Sequence, residues 1–440
     1  MQIKTVFFAL SSALNDLLNA DEVLLCTFYG EDSDFVRLNN NRIRQAGSVC
    51  QYEFNMQLIS GNRHCSASCN ISGQYTTALA QLVRLLKTLR EQNRHSPDDP
   101  YLNYNTTPFN SDDSPENQLA DSQEVIQQLI HHANRLDLVG VYASGTLYHG
   151  FANSFGQHNW QTRHQFNLDW SCFLNADKAV KSQYSGSVWQ PEKLEQEFDS
   201  IHQQLALIST QSITLKPGNY RCYLSPTALS SILEIVSWGG FGLKSHHCKN
   251  SPLIKLNEAT KTLDPRIRLS ENNRNGFTPG FTNQGFMKPE EIVLIDQGIR
   301  KNYLVSSRSA KEYNTTVNAQ SESPQTLQLS TGQLASSQIL SAIDTGLLIN
   351  NLWYTNFSDR GNCSITGMTR FACYFVENGN IKAPFNVMRF DQSVYEILGN
   401  KLIDLSNKAE CLASTDTYNR RSSSSMFLPG ILVDDFKLSF

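Results

Sequence analysis

Side chains of the types that bind metal ions occur close together at two places in this chain. His246-His247-Cys248 is a consecutive run, and His64-Cys65 is followed by Cys69. Imidazole and thiolate groups bind zinc, and a bound metal could activate water, but zinc sites need a second pair of ligands at a suitable spacing. Neither group of residues has such a partner pair. The sequence therefore favours polar loops over metal sites at both places, with His246, His247 and Cys248 kept as weak metal candidates.

Glu234 is the third feature that could do chemistry, as a general base. It lies in a predicted helix for which Ser225 is a good N-cap, Pro226 occupies the first position and Gly239-Gly240 provides the end. The apolar residues of this helix recur at helical spacing and predict a face packed on the core: Leu229, Ile232, Leu233 and Val236. A single Glu on such a helix favours a solvent-reaching carboxylate over a catalytic base.

Composition excludes several functional classes. The chain has 440 residues, a formal net charge of −4 and 18% charged residues, with a pI near 6.2. It therefore offers no electrostatic basis for binding nucleic acid or an anionic membrane, and no apolar run approaches the length of a membrane span. The ten cysteines are mostly isolated, which predicts reduced thiols. The first residues predict an amphipathic helix rather than a signal peptide, so we expect a cytoplasmic protein.

The first half of the chain mixes predicted strands and helices. Alternation through Tyr52, Phe54, Met56 and Leu58 predicts a half-buried strand, and turns are expected at Asn39-Asn40-Asn41 and Ser60-Gly61-Asn62. Helices are expected over 76–92, 122–136 and 191–209. We expect a domain boundary that divides the chain into residues 1–212 and 213–440.

The second half is predicted to be mostly β. Apolar residues alternate before Glu377-Asn378-Gly379-Asn380, which predicts a hairpin that turns at Asn378-Gly379. Residues 314–338 are rich in Ser, Thr and Gln and predict a mobile loop. The expected fold class is α+β, with a mixed sheet-and-helix domain followed by a domain dominated by antiparallel β.

The order of residues in Ser364 to Phe390 resembles the C-terminal signature of the TldD/PmbA family, whose members are tied to peptide proteolysis and maturation. The matching string is T-G-x-[TS]-R, then F-V-E-N-G-x-I-x-x-P and R-F. Residues 215–220 are similar to the family's L-x-P-G-x-Y strand, and Asn153, Ser154 and Gly156 to its N-S-x-G element. The resemblance covers nearly the whole chain in order, and it is most specific in the last third.

This resemblance implies a member without its own metal site. Catalytic members carry H-E-x-x-x-H on a helix, and this chain has Leu233, Glu234 and Trp238 at the corresponding positions of a degenerate metal helix, 226–239. Neither Leu nor Trp can ligate a metal, so no metal, no cofactor and no catalytic residue is expected. The resemblance then implies a TldE-like subunit that forms a heterodimer with a TldD-type metalloprotease subunit acting on unfolded peptide.

Two alternatives stay open at this point. The chain could be an independent metallopeptidase with a relocated metal site. It could also be a homodimeric protein that binds peptide without a catalytic partner, for example by adding an extended peptide to an exposed strand edge.

Overall fold

The strands of this protein form two separate sheets. The computed structural model describes residues 2–175 and 178–439. The first sheet is built from strands between residues 22 and 186, and the second from strands between residues 218 and 439. Helices pack on both, so the predicted α+β class is confirmed. The boundary between residues 212 and 213 falls between the two sheets and stays a prediction.

The first sheet is a meander with two strands added at one side. The order is β3-β2-β1-β5-β6, all antiparallel, with β7 antiparallel and β4 parallel to β6. The strands are β1 (Glu22–Asn39), β2 (Arg42–Ser60), β3 (Arg63–Asn70), β4 (Ser111–Asp113), β5 (Asp137–Asn153), β6 (His158–Phe173) and β7 (Ala179–Gly186). The helices of this half are α1 (Ile3–Asn15), α2 (Tyr75–Asn93), α3 (Ser122–His132) and α4 (Pro191–Ile208).

Both predicted turns of this sheet are confirmed. Asn40 and Asn41 link β1 to β2 with φ of 49° and 50°, and Gly61 takes φ of 62° between β2 and β3. Two-residue hairpin turns need positive φ, which Asn and Gly adopt at low cost. These local signals set the register of β1 against β2.

The two faces of the first sheet differ in chemistry. Phe28, Phe54 and Trp160 lie on one face and are buried with residues of α1 and α2. Farther along the same face, Leu168 and Tyr142 are buried with residues of α3 and α4. Because side chains alternate along a strand, the intervening residues point to the opposite face. On β6 these residues are mainly polar, whereas Leu25 and Phe151 form an apolar cluster at one end of the same face. Part of the second half of the chain covers this face, whose β6 side is called the polar face below.

The second sheet is mixed but mainly antiparallel. Among the described strands of this sheet, only β12 with β18 and β13 with β8 pair in parallel. Because β18 pairs with both β16 and β8, strands β8, β13, β14, β16 and β18 make a closed ring of pairings. The strands are β8 (Gly218–Leu224), β9 (Leu269–Asn272), β10 (Glu291–Asp296), β11 (Ile299–Arg300), β12 (Thr326–Leu329), β13 (Gly346–Asp359), β14 (Ser364–Glu377), β15 (Asn380–Pro384), β16 (Arg389–Ser393), β17 (Leu402–Ala413) and β18 (Ser425–Ser439).

The helices of the second half are mostly short. They are α5 (Pro226–Ser237), α6 (Leu243–His247), α7 (Ile254–Asn257), α8 (Ser307–Glu312) and α9 (Ile339–Ile343), with a 3-10 turn at Ser336–Gln338 and a π turn at Glu396–Asn400. In neither half does the described part of the chain contain a helix with the length and hydrophobicity needed to cross a membrane.

The signature hairpin forms as predicted, whereas the segment predicted to be a mobile loop contains a short strand. Strands β14 and β15 are joined at Asn378 and Gly379, which have φ of 49° and 72°. Residues 314–338, however, contain β12, which pairs with β9 and β18. Leu327 and Leu329 are buried in the second core. The prediction failed because Ser and Gln dominate the segment, whereas the strand is held in the core by two leucines alone.

Candidate functional site

Helix α5 is the element on which the functional interpretation depends, and its two ends follow the sequence signals. Ser225 Oγ accepts a hydrogen bond from the Ala228 backbone N–H at 3.1 Å and donates one to the Asn350 carbonyl at 2.7 Å. The helix ends at Trp238, which is followed by Gly239 with φ of 85°. The cap fixes where α5 begins and ties that end to β13.

The buried face of α5 is the predicted one. Leu229, Ile232, Leu233 and Val236 are each at most 1% exposed and lie in the core of the second sheet. Trp238, in contrast, is 58% exposed, and its carbonyl accepts a hydrogen bond from Arg360. The two positions that the resemblance assigns to metal-binding His therefore do not converge.

Glu234 lies on the exposed side of α5, in the field of a charged pair on the first sheet. Lys181 Nζ on β7 is 3.3 Å from Asp169 Oδ2 on β6. Although Glu234 keeps exposed surface, the surrounding protein limits its hydration and raises the pKa of its carboxyl, a shift that the Lys181 charge opposes. Burial likewise raises the pKa of Asp169, against the effect of Lys181. The carboxyls of Glu234 and Asp169 and the ammonium of Lys181, which come from the two halves of the chain, therefore lie in one region.

An open groove runs beside this charged pair. Its volume is about 440 Å³, and its walls include Asn167, Asp169 and Lys181 from the first sheet and Thr415 and Thr417 from the connection between β17 and β18. The groove lies between the two halves of the chain, and its walls combine these polar side chains with the apolar surface of Val139, Val141 and Trp170.

The residues of this region do not fit a metal ion. Within residues 2–175 and 178–439, no three His, Cys, Asp or Glu side chains are grouped so that they could hold one. Leu233 points into the core, and Trp238 offers only a carbon framework and an N–H donor. No chemical step through a metal is therefore derived for this chain.

The weak metal candidates are held by stacking. His246 and His247 belong to the short helix α6 and not, as predicted, to a loop, and Cys248 caps that helix. The His246 ring stacks on Tyr303 at 4.7 Å and the His247 ring on Tyr313 at 4.1 Å between centroids. Burial, together with the neighbouring His247 and Arg300 charges, lowers the pKa of His246. These contacts give both imidazoles a packing role.

The second sequence cluster is also accounted for by local contacts. His64 Nε2 lies 3.2 Å from Asp99 Oδ2, and His64 Nδ1 lies 3.1 Å from Gln57 Nε2. Cys65 and Cys69 are half-buried beside α2 in the first core. Both ring nitrogens of His64 are thus engaged by polar side chains.

Sequence reasoning missed the polar face of the first sheet. On β6, polar residues alternate with the buried Trp160, Phe166 and Leu168, and they include Gln161, Gln165, Asn167 and Asp169. The alternation is visible in the sequence. The sequence does not reveal that Gln161, Gln165 and Asn167 are themselves buried.

Comparisons with known proteins place the chain in a family. Residues 217–439 match the family model described as PmbA/TldA metallopeptidase C-terminal domain. This match spans more than half of the chain, so the chain belongs to the PmbA/TldD metallopeptidase family. A search of curated proteins finds no match.

Solved structures share the fold over the whole chain. TldE from Thermococcus kodakarensis aligns with a TM-score of 0.78 at 15% identity, covering 99% of this chain and 100% of that one. A protein described as a modulator of DNA gyrase from Thermotoga maritima gives 0.74 at 13% identity, with coverage of 100% and 99%. Another so described, from Bacteroides thetaiotaomicron, gives 0.73 at 15% identity, with coverage of 99% and 98%. At these identities the likeness concerns the fold alone.

Proposed function

We propose that this chain is a non-catalytic, TldE-like subunit that works with a metal-bearing TldD-type subunit in the proteolysis of unfolded peptide. The observation that carries the proposal is the state of α5. Leu233 is fully buried in the core, Trp238 is exposed at the helix end, and no three metal-ligating side chains gather within the described residues. A family member built in this way needs a partner to supply the metal.

The chain would contribute walls of the chamber in which peptide is held. Asp169 and Lys181 line the groove beside the first sheet, and Glu234 approaches them from α5. These groups can contact a passing peptide by charge and hydrogen bonding. None of them needs a metal for that role.

The test is reconstitution. The full-length chain is purified alone and also with a TldD-type subunit encoded by the same genome, and both samples are analysed for zinc and for cleavage of an unstructured peptide. We expect neither stoichiometric zinc nor cleavage for the chain alone, and cleavage for the pair. Glu234→Gln in this chain should leave that activity largely intact, whereas loss of the metal-binding His residues in the partner should abolish it.

Two results would replace the proposal by the alternatives. About one equivalent of zinc with cleavage by the isolated chain, abolished by Glu234→Gln, would identify an independent metallopeptidase. A stable homodimer that binds peptide and ignores the TldD-type subunit would identify a peptide-binding protein. Size-exclusion chromatography with light scattering distinguishes the second result from the proposed heterodimer.

A further inference from the structure

A segment of the second half of the chain crosses the polar face of the first sheet. We call residues 414–424, which join β17 to β18, the crossing loop. Beneath it lie Glu31, Gln165 and Asn167, which are 1%, 1% and 6% exposed. These residues come from β1 and β6, so the loop runs across the strands and does not extend the sheet by pairing at its edge.

Side-chain amides of the first sheet donate hydrogen bonds to backbone carbonyls of this segment. Three such bonds come from strands β2 and β6, and no side chain of the loop takes part in them. They join Gln51 Nε2 to Asn419 O (2.8 Å), Gln165 Nε2 to Ser422 O (3.0 Å) and Asn167 Nδ2 to Ser414 O (2.7 Å). Gln183 Nε2 on β7 makes a similar bond to the carbonyl of Ala413, the last residue of β17, at 2.6 Å. Because the three amide bonds to the loop end on main-chain carbonyls, they do not depend on the identity of its side chains.

Where the N–H groups of the loop have a hydrogen-bond partner, nearly all of them donate within the loop. The Ser422 N–H donates to the Asp416 carbonyl at 3.0 Å, and the Tyr418 N–H donates to Asp416 Oδ1 at 2.9 Å. The Arg421 N–H is the exception, since it donates to Glu31 Oε2 at 3.2 Å. The main chain of the loop thus presents carbonyls to the sheet and one N–H donor.

Acceptors on the sheet are left over as a result. Glu31 Oε1, Gln165 Oε1 and Asn167 Oδ1 are buried without a hydrogen-bond partner among the described residues, and so is Gln161 Oε1 on the same face. Three of these side chains touch the loop with their other polar atom. A buried acceptor without a donor costs free energy. The main chain of an extended peptide offers N–H as well as C=O groups and could engage both kinds of atom.

Two arginines hold the crossing loop in place. Arg421 is 3% exposed, and its guanidinium donates to the Gln165 carbonyl at 2.8 Å and to Ser33 Oγ at 3.3 Å. The Arg420 guanidinium lies 3.9 Å from the centroid of the Tyr29 ring and 3.3 Å from Glu53 Oε2. The loop is therefore attached through backbone carbonyls and two cationic side chains, with no apolar anchor of its own in these contacts.

We propose that the polar face of the first sheet is a binding site for the main chain of an extended, unfolded peptide, and that the crossing loop is a resident occupant which such a peptide displaces. This inference rests on the proposed function, because it takes unfolded peptide as the ligand. The amides of Gln51, Gln165 and Asn167 bind peptide carbonyls, and the leftover oxygens of Glu31, Gln165 and Asn167 accept from peptide N–H groups. Since side chains of the peptide are not contacted, binding has little sequence preference.

The loop can be removed without breaking the hairpin that carries it. Ala413 pairs with Ser425, and the Ser414 N–H donates to the Ser424 carbonyl at 2.8 Å. Replacing residues 415–423 by Asn-Gly should therefore close β17 and β18 with a two-residue turn. Binding of a short fluorescein-labelled unstructured peptide is measured by anisotropy for this full-length variant and for the wild type.

We expect the shortened chain to bind the peptide about tenfold or more tightly than the wild type, because an internal competitor lowers apparent affinity by the fraction of time it occupies the site. Adding Gln165→Ala and Asn167→Ala to the shortened chain should remove the gain, whereas Gln92→Ala, on the exposed side of α2, should not. The same peptide with N-methylated backbone amides should bind more weakly. Arg420→Ala in the chain with the intact crossing loop removes one of the contacts that hold the loop, so it should also increase the affinity for the peptide, by a smaller factor.

Equal affinities of the shortened chain, Arg420→Ala and the wild type would overturn the inference and leave the crossing loop as a brace between the two halves. Folding of each variant is checked by its cooperative thermal transition. Pairing with the TldD-type subunit is measured on the same samples. Variants that form an active complex but gain no peptide affinity contradict this inference alone. Variants that gain affinity but form no complex support it and contradict the proposed function.

Discussion

Lys181 Nζ lies 3.3 Å from Asp169 Oδ2 on the neighbouring strand of the first sheet. The pair is partly exposed, with about a third of each side chain open to solvent, so its own contribution to stability is small. The Lys181 charge reaches Glu234 on α5, a helix of the second sheet, and thus links the two halves of the chain electrostatically.

Glu234→Gln should make the protein more stable at neutral pH. The pKa of Glu234 is raised above its ordinary value of 4.5 because the folded protein hydrates the carboxylate poorly, and Lys181 offsets only part of this effect. Glu234 therefore opposes folding when it is charged, and this penalty vanishes below the unfolded pKa, where both states are protonated. The gain in Tm of the glutamine variant should be present at pH 7 and shrink as the pH falls towards 4.

Lys181→Met provides the complementary measurement, because loss of the ammonium removes the group that offsets the penalty. The stabilising effect of Glu234→Gln should then be larger in the Lys181→Met background than in the wild type. A double-mutant cycle of Tm values measures this coupling. Zero coupling would show that the two side chains do not sense each other.

Leu233→Ala should destabilise the protein by about 2–5 kcal/mol, the usual cost of truncating a buried leucine. Leu233 is 0% exposed and lies among the core residues that α5 shares with the second sheet. Urea denaturation gives the free energy of unfolding, with Ser230→Ala, at a partly exposed position of α5, as the control, expected to change it by about 0.5 kcal/mol or less. A cost near zero for Leu233→Ala would instead indicate a position that can become a ligand site.

Ser225→Ala should destabilise the protein by about 0.5–2 kcal/mol through loss of the α5 cap. Ser225 Oγ accepts from the Ala228 N–H and also donates to the Asn350 carbonyl, so the variant leaves both groups without this partner. Ser225→Thr retains a hydroxyl at the same place and should recover most of the loss. If the alanine and threonine variants unfold at the same urea concentration, the hydroxyl does not cap the helix.

The sequence predicts those parts of this protein that depend on neighbouring residues. The Asn378-Gly379 turn and the Ser225-Pro226 helix start are read from two or three residues each, and both form as expected. Contacts between distant segments were not predictable. Asn167 meets Ser414 across 247 positions of sequence, and nothing local in either residue indicates the other.

The same limit applies to the candidate site. The sequence predicts degenerate metal positions at Leu233 and Trp238 only through the family resemblance. Their different environments, one in the core and one in solvent, follow from how α5 packs on the second sheet. The groove beside Asp169 depends on how the two halves are placed against each other, which periodicity cannot give.

His149 should make the protein sensitive to acid. Burial, together with the charges of Arg420, Lys288 and Arg163, lowers the pKa of its imidazole to about 3. The unfolded chain takes up a proton near the ordinary value of 6.5, whereas the folded protein does so only near 3. The stability that His149 contributes is therefore complete above pH 6.5 and is lost as the pH falls from there towards 3.

His149→Gln should flatten this part of the pH dependence, as measured by urea denaturation at successive pH values. His95→Gln, at an exposed position after α2, is the matched control and should leave the slope unchanged. Parallel curves for the wild type and His149→Gln would mean that the imidazole is protonated as readily in the folded protein as in the unfolded chain.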